Sequence, residues 1–582
     1  MNTKNITRIS LGGLFLATIL LSLVPVVQTA FKVREKWNGV PPSYIDDDLY
    51  YYARIKEVID GHLFLGNPYF MEYRDARSVA FFVPDWLAVV PLILGLPFDL
   101  AIVFNFMFWS LLFVLLAYLV ARAADLPPPY SAVLAFMAYG ETYWVILRPV
   151  VMQEVFPFSL LFILALLVWL RNPSSRRSVF FLILASVLPF YIYPYLWQIV
   201  LLTLGFVFLH LLVQKKWSEV KILLLTTVGI GVFSLPVIVY TMYQIQAPFY
   251  WETIGRIGLV LSHWPTLYAY QYGRWTLLLI VLYVFFHRWF KPAASITNDP
   301  ISLAAIYSGL GLLVMSVSNI FTGQELETAQ HTGRFITLWL ALFFPIFLWK
   351  LYQSKKELLK LSWLKIIIIG LLSLACLGFL AVNLTRSLPF QKIESADAVT
   401  IQEYAAPLNW LNQQETSPVV VWADEQISRY IPILTKHYVF WAGAGGLHLM
   451  PTKEVEDRFL ASRIGTSTAD EIFEHYREFE GAGSWWRYLD YWHKKELRCL
   501  VGSQCESGKT FRDWVGNAKL DSLVRRQAEL KGDISAVIKK YHVSYLIADK
   551  GKGEDNYFKA LPGAKEVWQN NRFVIYKTLV LP

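Results

Sequence analysis

Apolar stretches of about 14 to 23 residues recur along the first two thirds of this chain and restrict its fold more than any other feature. They run at 9–30, 99–121, 130–147, 157–170, 178–193, 195–213, 222–243, 275–290, 301–320, 335–349 and 363–383. A bilayer core about 30 Å thick takes roughly 20 apolar helical residues. With no water in the hydrocarbon to satisfy the backbone, each stretch reads as helix. The chain is therefore expected to be an α-helical polytopic membrane protein with about 11 transmembrane helices. Composition agrees, with 55% hydrophobic and 17% charged residues against roughly 25% charged in soluble domains. The stretch 79–97 differs. It contains Pro84, Asp85 and Pro91, and it reads as a short re-entrant or interfacial helix.

The charges then sort by side. Lys4 and Arg8, Arg122, Arg171 with Arg176 and Arg177, Lys215 with Lys216 and Lys221, Arg288 with Lys291, and Lys350, Lys355, Lys356, Lys360 and Lys365 fall on one side. The positive-inside rule makes that side the cytoplasm. Counting 79–97 as a full span would put the Arg171 and Lys215 clusters outside. The net charge of +9 thus reports topology, and no nucleic-acid partner is expected. The first stretch reads as a retained anchor with a cytoplasmic N-terminus, since its Val27-Gln28-Thr29-Ala30 end only loosely matches a cleavage site. The opposite side receives the long first loop 31–78, a loop near Arg148–Phe156, a loop at 244–274, the Thr322–Gly333 loop, and everything after residue 385.

Residues 1–385 form the membrane domain, and 386–582 an extracytoplasmic α/β domain large enough for its own core. There, 399–413 and 533–541 read as helices. Val419–Trp422, His437–Trp441, Val543–Ile547 and Asn571–Tyr576 read as strands. Gly443-Ala444-Gly445-Gly446 lacks the spacing of a dinucleotide loop and reads as a turn. Three cysteines exclude a disulfide scaffold. Cys376 lies in an apolar run, which leaves Cys499 and Cys505 as a pair, oxidised or as free thiols.

Three carboxylates, Asp46-Asp47-Asp48, stand in the first outer loop beside Tyr50, Tyr51 and Tyr52. They cannot lie in hydrocarbon, where an unpaired carboxylate costs several kcal/mol. At the membrane surface such acids can bind a divalent metal or accept a proton. Asp46-Asp47-Asp48-Leu49-Tyr50-Tyr51, its continuation Arg54–Gly61, and the run Asn319–Leu326 with His331-Thr332-Gly333-Arg334-Phe335 resemble the GT-C class of integral membrane glycosyltransferases. That class includes oligosaccharyltransferase catalytic subunits, protein O-mannosyltransferases and lipid A aminoarabinose transferases.

The resemblance implies a GT-C-like fold over 1–385. It also implies an inverting hexosyl- or pentosyltransferase using a polyprenyl-phosphate-linked sugar at the outer face. Its acceptor would be a glycan, lipid or protein of the cell envelope, and its place the inner (cytoplasmic) membrane of a bacterial cell. It assigns the base to Asp46 or Asp47, with Glu154 as a second acid from another outer loop. A Mg²⁺ or Mn²⁺ ion would be held by Asp46 and Asp48. The leaving lipid phosphate needs fixed, charge-assisted donors, for which Arg334 with His331, Arg148 and Arg274 lie at the right level, as does Arg256. Ser484–Trp492 looks like a peptide-gripping Trp-Trp-Asp-Tyr-Gly motif, but Arg487 replaces its Asp and Leu489 its Gly. Protein N-glycosylation is therefore not expected, and these aromatics read as packing or a sugar-stacking surface. The competing reading is a non-enzymatic transporter or scaffold for cell-surface polymer. A transporter would carry midplane charges and internal repeats, whereas here the charges gather at helix ends.

Overall fold

The computed structural model describes residues 3–45, 47–79, 81–290, 299–354, 398–500 and 508–579. Ten of the eleven apolar stretches lie within them, and each forms a helix. The eleventh, 363–383, falls outside the described residues, as do Asp46, Cys376 and Cys505. In order the chain forms α1 (Thr3–Val33), α2 (Asp48–Ile59), α3 (Val83–Ile93), α4 (Phe98–Ala123), α5 (Pro128–Ile146), α6 (Val151–Arg171), α7 (Arg176–Ile192) and α8 (Pro194–Val213). There follow α9 (Trp217–Ile245), α10 (Tyr250–Ile257), β1 (Leu259–Leu261), α11 (Leu267–Phe290), α12 (Pro300–Ser316), α13 (Asn319–Thr322), β2 (Gln324–Leu326) and α14 (Thr328–Ser354). Among the described residues six helices, α1, α4, α6, α8, α9 and α14, are long and apolar enough to cross a bilayer. The chain is a multi-pass membrane protein. The 79–97 stretch forms only α3, 11 residues with Pro84 in its first turn.

Short connections after α4, α5, α6, α7 and α8 make sequential helices antiparallel neighbours. Polar and small side chains knit them. Tyr139 on α5 bridges Ser22 on α1 (2.8 Å) and Ser110 on α4 (2.9 Å). A Cβ at Gly311 on α12 would lie 2.9 Å from the Thr203 hydroxyl of α8, the close approach that small residues permit in membranes. Because the helices alternate, Arg122, Arg171, Arg176, Lys215 and Lys350 gather at one end of the bundle. At the other end lie α2, α3, the antiparallel pair β1–β2 and the C-terminal domain.

Two boundaries differ from the sequence reading. The 301–320 stretch stops at Ser316, where the chain turns so that the Asn319 amide can donate to the carbonyls of Ser262 (3.1 Å) and Trp264 (2.6 Å). The Thr322–Gly333 loop is shorter than expected, because the Glu325 carboxylate accepts the Ala329 N–H (2.9 Å) and α14 begins at Thr328. That places His331 and Arg334 in the helix.

The C-terminal domain is a five-stranded sheet, β3 (Val420–Trp422), β4 (Tyr438–Val439), β5 (Val543–Asp549), β6 (Ala564–Gln569) and β7 (Phe573–Thr578), in the order β4-β3-β5-β7-β6. β3 is parallel to β4 and β5, and β7 antiparallel to β5 and β6. The expected strands are present. β6 is additional, and as the edge it carries Lys565 and Glu566 outward instead of an apolar run. Cys499 is disulfide-bonded. Gly443–Leu447 is a single 3-10 turn.

Buried polar contacts fix this domain on the bundle end. Gln402 accepts from Asn38 N (2.9 Å) and donates to Val40 O (2.8 Å). Arg458, fully buried, pairs with Glu72 (2.6 Å) between the rings of Phe70 and Tyr541. Arg256, 3% exposed, donates to Gly446 O, Met450 O and the Thr452 hydroxyl (2.8–3.1 Å). Those bonds tie Arg256 to the C-terminal domain.

Candidate functional site

The first loop closes on itself before α2 begins. Asp48, fully buried at the first turn of α2, accepts the backbone N–H groups of Tyr44 (2.6 Å) and Ile45 (3.0 Å) through Oδ2. Oδ2 of Asp48, a residue expected to hold a metal, is thus occupied by two backbone donors. Asp47, at the N-cap, turns the other way with its side chain 43% exposed, and meets Arg148 Nη2 at 2.5 Å. Helix α2 is anchored from below. Arg54 makes a two-pronged pair with Asp85 of α3 (Nε–Oδ1 2.9 Å, Nη2–Oδ2 2.6 Å), and neither residue is more than 2% exposed.

Around Asp47 and Arg148 the bundle end assembles a polar cleft. Tyr193, between α7 and α8, lies within electrostatic reach of Arg334, Tyr51, Arg148 and Glu327. Its hydroxyl bonds to His331 Nδ1, and the His331 ring stacks on Tyr195 at 4.6 Å and 10°. His331 Nε2 faces Glu327 at 3.3 Å, one turn earlier. Glu327 also accepts from Trp486 Nε1 at 2.7 Å, so the C-terminal domain enters the site. Arg334 follows on the same helix face. Its Nη1 lies 3.1 Å from Met152 Sδ, and among the described residues no carboxylate comes within 4.0 Å of it.

Burial shifts several groups here outside the spans. It pushes the Tyr51 phenol up to about 12, so Tyr51 stays protonated and able to donate. It pushes Glu325 up to about 7. Glu327 goes the other way. Burial would raise it, but its bonds to His331 and Trp486 and the charge of Arg334 hold it below the usual carboxylate range.

Arg148, His331 and Arg334, all singled out from sequence, converge on Tyr193, and Asp47, also singled out, joins them through its ion pair with Arg148. Asp46 lies outside the described residues. Glu154 departs from expectation. It sits in the first turn of α6 and not in a loop, fully buried. Both its oxygens lack a hydrogen-bond partner among the described residues, and the acid acting on it is Asp85. The α6 helix starts at Val151, immediately after the φ +61° kink at Val150, and this winds Glu154 inward. Arg274, on α11, lies over the ring of its neighbour Trp275 at 5.3 Å. Sequence reasoning missed Glu327, Tyr193 and Tyr195, and it read Trp486 only as part of an aromatic run for packing or sugar stacking. Only Glu327 left a trace, as the residue one helical turn before His331. Trp485, by contrast, packs on Phe511 and Tyr488. Among the described residues no group of three His, Cys, Asp or Glu side chains is placed to hold a metal ion.

Beside the cleft, an apolar groove of about 710 Å³ runs along α8 and α12. Trp197, Gln198, Ser318, Phe321 and Thr322 line its upper end, and Leu209 marks its depth. That span of twelve residues is roughly 18 Å of helix.

Fold and cleft together define a multi-pass membrane protein with a charged site at the bundle end that carries its α/β domain. No family model and no curated protein matches the chain. Among solved structures it is similar to the archaeal oligosaccharyltransferase AglB from Archaeoglobus fulgidus in complex with an inhibitory peptide and a dolichol-phosphate. That alignment has 12% identity and a TM-score of 0.47, and covers 94% of this chain and 70% of that one. A second A. fulgidus oligosaccharyltransferase structure, tethered with an acceptor peptide, aligns at 11% identity and a TM-score of 0.44, covering 97% and 74%. ArnT from Cupriavidus metallidurans in the apo state aligns at 14% and 0.40, covering 96% and 97%.

Proposed function

We propose that this chain is a membrane glycosyltransferase that takes a sugar from a polyprenyl-phosphate donor and transfers it to a cell-surface acceptor. The observation that carries the reading is the pair Arg148 and Arg334, both within electrostatic reach of Tyr193 at the bundle end, with no carboxylate within 4.0 Å of Arg334 among the described residues. Two forked guanidiniums suit a phosphate. The groove suits the isoprenoid chain behind that phosphate.

In the transfer, the bond between the anomeric carbon and the phosphate oxygen breaks, and its electron pair leaves with the lipid phosphate toward Arg334 and Arg148. The acceptor oxygen bonds to the anomeric carbon from the opposite face, and its proton passes to a first-loop carboxylate. Asp47 is exposed to the acceptor side and is released as a base when the donor phosphate competes for Arg148. The basic bundle end lies in the cytoplasm, which puts the cleft and the C-terminal domain outside.

The test is sugar release from a radiolabelled polyprenyl-phosphate hexose or pentose by the purified protein in detergent, with Mg²⁺, Mn²⁺ or EDTA. Arg334→Ala and Asp47→Asn are expected to lose at least about a hundredfold in turnover, as removal of one preorganised charge contact does. Folded wild-type protein without turnover on any donor returns the weight to a transporter or scaffold.

A further inference from the structure

We infer that Trp486, supplied by the C-terminal domain, is a positioning residue for the phosphate end of the cleft, acting through Glu327. The inference rests on the glycosyl-transfer reading and adds a role for the extracytoplasmic domain in it. Trp486 lies in α15 (Ala482–Leu500), and its indole N–H reaches the Glu327 carboxylate at 2.7 Å. A carboxylate only accepts, so the His331 nitrogen facing Glu327, Nε2, must carry the proton. That leaves Nδ1 to accept the Tyr193 O–H. Donation thus runs from Tyr193 through His331 to Glu327, and Trp486 donates to the other oxygen of the same carboxylate. The chain begins at the phenol that feels both Arg148 and Arg334.

The contact is built closely. Gly258, at the start of β1, lets the two side chains meet, since a Cβ there would lie 2.8 Å from Glu327 Cγ and 3.3 Å from Trp486 Cδ1. Arg487, the next residue of α15, ties the same helix to Gly255 O at 2.8 Å. Glu327 itself stands in an uncommon backbone conformation, φ +51°, which the indole and the imidazole hold in place.

The ionised form of Glu327 sets the tautomer of His331, so the chain is pH-sensitive at its carboxylate. The titratable and charged groups acting with or on Glu327 are Glu325 from β2, His331 and Arg334 from α14, and Tyr193 and Tyr195 from the start of α8. Removing the indole N–H takes away one of the bonds that favour the ionised carboxylate. Its protonation then moves to higher pH.

The experiment compares wild type, Trp486→Phe, Trp486→His, Trp485→Phe, Glu327→Gln and the Glu327→Gln/Trp486→Phe double variant as purified full chains. Two quantities are read, transfer from the radiolabelled donor across pH, and binding of labelled polyprenyl phosphate without its sugar. Trp486→Phe keeps the ring and is expected to weaken phosphate binding and turnover about tenfold, the size of one hydrogen bond to a charged group, with the acid limb of the profile moved to higher pH. Trp486→His, which retains a ring N–H, is expected to recover part of the loss, and Trp485→Phe to behave as wild type. The double variant should match Glu327→Gln alone within about twofold. If wild type turns over and Trp486→Phe binds and transfers equally well with an unmoved profile, the positioning role is overturned. It is equally overturned if the two substitutions act additively. If wild type neither binds the lipid phosphate nor releases sugar, it is the glycosyltransferase reading that falls, and this role with it.

Discussion

The pair Arg54–Asp85 gives the sharpest stability prediction, because it decides where α2 points. Arg54 is 2% exposed and Asp85 0%, joined by bonds of 2.9 and 2.6 Å. The Arg54 guanidinium also donates through Nη1 to the Tyr50 hydroxyl at 3.1 Å. Asp85→Ala therefore strands a buried guanidinium on a single phenol, which costs about 3–5 kcal/mol. Arg54 lies seven residues along α2 from Asp47, roughly 10 Å. The Asp47–Arg148 contact should loosen with it, so turnover should fall together with stability. The assay is thermal unfolding of the purified protein in detergent, with Arg54→Met/Asp85→Leu as control. Removing both charges lifts the desolvation penalty, and the double variant should return to wild-type stability or above it. An unchanged midpoint for Asp85→Ala, or a double variant no better than the single, would refute the buried-charge reasoning.

Arg256→Ala should cost about 3 kcal/mol or more by leaving the carbonyls of Gly446 and Met450 without their donor, and Arg256→Lys should rescue little, since one ammonium cannot span the same three acceptors; unfolding midpoints decide it. Gly258→Ala should reduce turnover more than stability, because the added methyl presses on Glu327 Cγ at 2.8 Å and not on the core. Glu325 is held protonated up to about pH 7 in the fold but ionises near 4.5 when unfolded. Stability should therefore fall as pH rises from about 4.5 to 7, and Glu325→Gln should flatten that fall. A Glu325→Gln curve parallel to wild type over this window counts against the assignment.

The parts of the fold legible in sequence are those set by one segment at a time. Hydrocarbon leaves a long apolar run no choice but helix, and Pro84 suits the first turn of α3, where a proline lacks no bond. The helix boundaries that slipped are the ones settled by distant partners. Asn319 ends α12 by reaching Ser262 and Trp264, and Glu325 starts α14 early by accepting the N–H of Ala329. The same division runs through the site. Asp47, Arg148, His331 and Arg334 stood out because a charge beside an apolar run must sit at the membrane face, and the face holds few other functional groups. Tyr193, Tyr195 and Trp486 gave no such signal, because aromatics are common at every helix end of a membrane protein and only three-dimensional pairing separates these from the rest.

Glu154 shows why level in the membrane does not settle a role. It shares a bundle end with Asp47, yet α6 begins at Val151, straight after the φ +61° residue Val150, so Glu154 is buried in a helix turn where the acid acting on it is Asp85. Direction, in turn, depends on what holds each helix. α2 is held by Asp85 of α3, α14 by its Glu325 cap, and α10 by carbonyls of the C-terminal domain accepting from Arg256. The cleft is therefore no property of the bundle alone. The C-terminal domain completes one side of it, where Trp486 donates to Glu327.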